Sequence, residues 1–131
     1  GTAAMKKILI VDDDRDVFES MKIVLEAEGY AVDWAVNGTE AIAKATSGRP
    51  DLMILDVMMT TDDEGFQVSY AMRKDPQLTH IPIVMVTSVG SKTGFSFDRN
   101  RDQDFLPVNE FLEKPVDPKV LVDKVRENLG H

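Results

Sequence analysis

Leu52-Met53-Ile54-Leu55-Asp56 is an unbroken apolar run that ends on a carboxylate. Four large apolar residues in a row, without polar alternation, read as a strand buried on both faces. A carboxylate at the end of such a strand is expensive unless something pairs with it. Three further runs end on polar groups. Ile8-Leu9-Ile10-Val11 stops at Asp12-Asp13-Asp14, Ile83-Val84-Met85-Val86 stops at Thr87-Ser88, and the short Phe111-Leu112-Glu113 stops at Lys114-Pro115. Four strand ends thus carry Asp-Asp, Asp, Thr and Lys. In a parallel sheet these ends share one edge, the edge where α/β folds bind their ligands. Carboxylates grouped with a hydroxyl and an ammonium suit a hard cation and an anionic group together.

Between these strands the pattern turns helical. Asp14 or its neighbour can cap a helix whose face carries Val17, Met21, Val24, Leu25 and Glu28, and Gly29 ends it. Tyr30, Val32, Trp34 and Val36 alternate, which predicts a strand over Ala31–Ala35 with Trp34 core or half-buried. Asn37-Gly38 signals a turn, and residues 39–46 are Ala-rich and helical. A helix is predicted over 66–74, a strand over 83–87, and a last helix from Pro118 carrying Leu121, Val122, Val125 and Leu129. This is βα repeated five times, which implies a parallel sheet covered on both faces. One unit is weak. Residues 89–109 are rich in Gly, Ser, Asp, Asn and Arg, with Phe95, Phe97, Phe105 and Leu106 at no helical spacing. There the helix is expected to be short, displaced or replaced by a loop.

The totals narrow the function. A chain of 131 residues with 43% hydrophobic and 29% charged residues is one globular domain with a real core. Residues 1–5 are expected to be a tag remnant or a disordered terminus, and 6–130 the domain. A net charge of −8 argues against nucleic acid or an anionic membrane as partner. The absence of cysteine excludes disulfides and thiolate metal sites and is compatible with a reducing compartment. His80 and His131 are too few for a zinc cluster. No apolar run is long enough to span a bilayer.

The segments Ile10-Val11-Asp12-Asp13-Asp14, Leu55-Asp56-Val57-Met58-Met59, Met85-Val86-Thr87-Ser88 and Phe111-Leu112-Glu113-Lys114-Pro115 resemble the receiver domain of two-component response regulators. Each motif alone is weak, but the four in order, at strand ends, are specific. The resemblance implies a flavodoxin-like (CheY-like), doubly wound, five-stranded parallel sheet. It implies that Asp56 accepts a phosphoryl group from a histidine kinase or histidine phosphotransfer protein. Asp12 and Asp13 match the family's acidic pair for magnesium, for which manganese is expected to substitute. Met58 matches the position that lends the metal a backbone carbonyl. Thr87 matches the hydroxyl that contacts the phosphoryl group, Lys114 the family's lysine, and Phe111 the aromatic switch position. The Lys114-Pro115 bond would be cis by the same likeness. The expected setting is cytoplasmic, with a downstream protein as the second partner and a homodimer left open. The chain is either a stand-alone regulator or part of a longer protein.

Three departures bear on the output face and not on the chemistry. Thr60 stands where the family often has Pro, the loop to Gly65 is about a residue long and carries Asp62-Asp63-Glu64, and 87–114 is longer than common. In the family that this chain resembles, the side chains two positions after the acceptor and after the Thr influence the hydrolytic water. Here these are Met58 and Val89, which cannot orient a water strongly, so the resemblance implies a long-lived phosphorylated state.

The chemistry suits these residue types. A carboxylate is ionised near neutral pH and needs no base to act as a nucleophile. The obstacle is charge, because Asp56 must approach an anionic phosphoryl group beside other carboxylates. Magnesium addresses that repulsion with only a few oxygen ligands, and phosphoryl transfer is otherwise mostly positioning. Taken singly, the acidic run reads as a solvated helix start, Asp56 as the start of an ordinary turn, Lys114 as a surface lysine and Thr87-Ser88 as a helix cap. All four at one sheet edge argue against those readings. Two rivals are a haloacid-dehalogenase-type phosphatase and a flavodoxin-like cofactor binder. The first needs an acidic residue where Met58 stands; the second needs a phosphate cradle where three aspartates stand. Beyond its own phosphorylation and dephosphorylation, the chain is not expected to be an enzyme.

Overall fold

The computed structural model describes residues 6–56, 64–88, 110–114 and 116–129. Five strands, β1 (Lys7–Val11), β2 (Ala31–Ala35), β3 (Leu52–Asp56), β4 (Ile83–Ser88) and β5 (Glu110–Lys114), form one sheet in the order β2-β1-β3-β4-β5. Every pairing is parallel. The helices are α1 (Arg15–Ala27), α2 (Gly38–Gly48), α3 (Glu64–Lys74) and α4 (Pro118–Leu129). The chain leaves β1 toward β2 on one side and places β3 on the other. That reversal opens a crevice beyond the carboxyl ends of β1 and β3.

Residue parity sorts the core. Odd residues of β1, β3 and β4, such as Leu9, Met53 and Met85, pack with Ala41 and Ala45 of α2 and with Val68 and Met72 of α3. Even residues, such as Ile10, Ile54 and Val84, pack with Phe18, Met21 and Leu25 of α1 and with Leu121 and Val125 of α4. Fully burying one such side chain contributes roughly 1.5–3 kcal/mol. The exposed Arg126–Glu28 ion pair at 2.7 Å also bridges α4 and the end of α1, but an exposed pair is worth about 1 kcal/mol or less. Apolar packing therefore decides how α4 docks.

The element boundaries differ from the sequence expectations in small ways with clear causes. Phe18, absent from the predicted face of α1, is buried, whereas Val17 and Val24 are only partly so. The apolar stripe is wider than the spacing suggested. The second helix runs from Gly38 to Gly48 instead of 39–46. Asn37 Oδ1 accepts the Glu40 N–H at 2.8 Å, and Glu40 Oε1 accepts the Val36 N–H at 3.1 Å, so both sides of the cap are satisfied a residue early. The helix ends with Arg49 in the left-handed region at φ 47°, and Arg49 N–H donates to Ala45 O. α3 begins at Glu64 rather than 66, β4 reaches Ser88, and β5 gains Glu110 and Lys114 at its ends. The Lys114-Pro115 bond, the 57–63 loop and the whole of 89–109 lie outside the described residues.

Candidate functional site

Asp12 directly follows β1 and Asp56 ends β3. Both are buried, at 1% and 3% exposure, and they are the buried charged side chains among the described residues. Val11 pairs with Leu55, so Asp12 and Asp56 each stand one residue beyond that pair on neighbouring strands. Neighbouring strands lie about 4.8 Å apart. Both aspartates also continue the even parity of the α1–α4 side, so they flank the crevice together.

Local hydrogen bonds shape the turn that carries Asp12. Its N–H continues the ladder to Ala35 O at 3.0 Å. Its Oδ1 accepts the Asp14 N–H at 2.8 Å, which closes an Asx turn over the acidic run. Asp14 in turn caps α1, with Oδ1 accepting from Asp16 N–H at 2.9 Å and Val17 N–H at 3.4 Å. The run Asp12-Asp13-Asp14 is therefore split by role. Asp12 faces inward, Asp14 serves the helix, and Asp13 between them is exposed.

The other sequence-predicted site residues are placed by their backbone. Asp56 pairs with Val86, so Thr87 is one residue beyond that partner on β4. Thr87 pairs with Glu113, and Ser88 pairs with Lys114. Phe111 pairs with Met85, further from the sheet edge. Asp12, Asp56, Thr87 and Lys114 thus fall at the carboxyl ends of four successive strands. Met58 lies outside the described residues.

Among the described residues, no group of three or more His, Cys, Asp or Glu side chains is drawn together as a ready metal cage. The donors that are present still suit a hard cation. Asp12 and Asp56 offer oxygen only, they are buried at adjacent strand ends, and exposed Asp13 is next to Asp12 in the chain. Magnesium takes one or two carboxylates and keeps several waters, so it does not need a closed protein cage.

One contact was not legible from spacing. The Trp34 indole N–H donates to the main-chain carbonyl of Asp12 at 2.7 Å, across from β2. Its ring lies flat on Phe18 of α1, with centroids 4.7 Å apart and planes 9° from parallel. Lys44 of α2 donates to the Trp34 carbonyl. The alternation in β2 pointed to a half-buried Trp34, but only the fold brings its indole to the acidic run.

Known proteins resemble this chain in sequence and in fold. The DNA-binding dual master transcriptional regulator RpaA of Synechocystis is 36% identical over 93% of this chain, which spans 48% of RpaA. The chain thus covers about half the length of that relative. Protein PilH of Pseudomonas aeruginosa is 30% identical, with 96% of this chain and 99% of PilH covered. The crystal structure of the chemotaxis response regulator CheY4 of Vibrio cholerae superposes with a TM-score of 0.80 at 29% identity, covering 95% of this chain and 99% of that one. The family model described as the response regulator receiver domain matches residues 8–126. The chain belongs to the response regulator receiver domains of two-component systems.

Proposed function

We propose that this receiver domain is a phosphoacceptor, with Asp56 as the residue modified. The observation that supports it best is the burial of Asp12 and Asp56 side by side at the ends of β1 and β3. Burying two like charges is costly, and a phosphoryl-transfer site is a reason to keep them. The donor is a histidine kinase or a histidine phosphotransfer protein. A carboxylate oxygen of Asp56 attacks phosphorus, the P–N bond of the phosphohistidine breaks, and the leaving imidazole takes up a proton. Burial excludes bulk water from the nucleophile and so favours transfer over hydrolysis.

Asp12, Asp13, Asp56 and the Met58 carbonyl are the proposed holders of magnesium, or of manganese in its place. Such an ion supplies Lewis-acid neutralisation of phosphoryl oxygens. Asp12 is held for this role by its Asx turn, and exposed Asp13 is free to turn inward. Thr87 and Lys114 are assigned to the phosphoryl oxygens, since Thr87 stands near the end of β4, the neighbour of the Asp56 strand, and Lys114 ends β5, the next strand out. Thr87 and Phe111 are the proposed switch pair through which the new charge alters the surface read by a downstream protein. On this reading the chain catalyses only its own phosphorylation and dephosphorylation, and it works in the cytoplasm.

The test is labelling by acetyl phosphate or phosphoramidate. The wild type should be labelled only with a divalent cation, and Asp56→Asn should not be labelled. Undiminished labelling of Asp56→Asn, or labelling of the wild type in excess EDTA, would remove the assignment.

A further inference from the structure

We propose that Trp34 is a positioning residue for the acidic run, and that its indole N–H sets the affinity of Asp12 and its neighbours for a hard divalent cation. The inference rests on the metal reading of these aspartates given above. Among the ties that hold Asp12 are its N–H to Ala35 O, its Oδ1 to Asp14 N–H, and its carbonyl to the Trp34 indole. The first belongs to the sheet ladder and the second to the turn itself. The third comes from a side chain on another strand, and it is short, at 2.7 Å.

Trp34 is itself held at its ring and at its backbone. Phe18 stacks on its face, and Lys44 Nζ donates to its main-chain carbonyl while standing 3.6 Å from Asp33 and 3.9 Å from Glu40. Phe18 belongs to the first turns of α1, the helix that Asp14 caps. The Trp34 ring therefore touches what lies after the acidic run through Phe18 and the run's first residue through Asp12. A group tied both to the first residue of the run and to the helix that follows it limits how the carboxylates of the run can stand. Indole N–H is a donor only and carries no charge, so it restrains Asp12 without neutralising it. Ordering the turn before the cation arrives lowers the entropic cost of binding.

Trp34 is the sole tryptophan of the chain, so tryptophan emission reports on the surroundings of this residue alone. The wild type should show a saturable change in Trp34 fluorescence on titration with magnesium, and Asp13→Asn should lose it. Trp34→Phe keeps an aromatic ring for Phe18 and deletes the N–H. Its magnesium dissociation constant, from calorimetric titration, should rise about five- to tenfold, the size of one hydrogen bond. Replacement of the indole by benzothiophene, through biosynthetic incorporation of the amino acid, keeps the ring's shape and removes only the donor. It should give the same rise, whereas 7-azatryptophan, which retains the N–H, should restore wild-type affinity. Melting in EDTA checks that each variant is folded.

Equal magnesium affinity in the wild type, Trp34→Phe and the benzothiophene variant would overturn the inference and leave the metal reading standing. A wild type that binds no magnesium at all would overturn the metal reading and the inference with it.

Discussion

Where β1 and β3 begin, charged groups are spent on the backbone. Asp51 accepts the Lys7 N–H at 2.8 Å and donates its own N–H to Lys7 O at 2.8 Å. Arg73 donates to the carbonyls of Thr79 and Ile81, at 2.7 and 2.8 Å, as the chain turns into β4. Where the same strands end, Asp12 and Asp56 are buried close together. Both edges use the same residue types. At the entry edge Asp51 is exposed and each charge ties down a loop. At the exit edge the carboxylates are withdrawn from water and kept in company. The entry edge serves stability, and on the proposed function the exit edge serves chemistry.

The largest effect that would break this division is on phosphorylation. Asp56→Asn should abolish labelling by acetyl phosphate, and Asp51→Asn should leave its rate unchanged. A severalfold loss in Asp51→Asn would mean that the entry edge also serves the reaction. Next in size is Arg73→Ala. Burial pulls the Arg73 guanidinium below its ordinary value, but it remains charged near neutral pH. Its removal strips the donor from two loop carbonyls, so the urea midpoint should fall by an amount equivalent to about 2 kcal/mol, with magnesium affinity unaltered.

Magnesium should raise the melting temperature of the wild type. At roughly tenfold excess over its dissociation constant, a ligand bound only by the native state adds about 1.4 kcal/mol. Asp13→Asn should respond much less; an equal rise would put the cation elsewhere. In EDTA the exit edge should even gain from losing charge. Asp12→Asn keeps an oxygen for the Asp14 N–H and removes one of two buried like charges, so its melting point should lie above that of the wild type. A clear drop would show that the Asp12 charge stabilises the cation-free fold. The smallest effect is expected from Asp51→Ala, about 0.5–1 kcal/mol of lost stability, because the bond it breaks is exposed.

The two edges were not equally legible in the sequence. The exit edge was plain, because four apolar runs stop abruptly at polar residues and a parallel sheet must bring such ends together. Asp14 could be read as a cap and Asp12 and Asp13 as a pair. That Asp12 is buried while Asp13 is exposed could not, since the difference lies in the Asx turn from Asp12 to the Asp14 N–H. The entry edge was nearly silent. Arg73 looks like any basic residue in the last turn of a helix until the fold brings the Thr79 and Ile81 carbonyls to it. The end of α2 could be read only to within a few residues, because the residue that takes the left-handed conformation there is Arg49 and not a glycine. Trp34 was the costliest miss, because alternation records that a side chain is half-buried and says nothing about which backbone it reaches. The expected break in the unit 89–109, and the metal carbonyl assigned to Met58, fall outside the described residues.

The odd–even division of the core acts as an address for Asp56. Deleting or inserting one residue within Leu52–Asp56 would turn every following side chain to the opposite layer. The aspartate would then leave the α1–α4 side, and each strand residue between the change and Asp56 would pass to the opposite core. Inserting two residues would restore the layer but carry the carboxylate past the sheet edge. This strand can change its letters within a size class, yet not its length. Among natural or laboratory length variants, insertions should survive in the connections between elements and vanish from the five residues that end at Asp56.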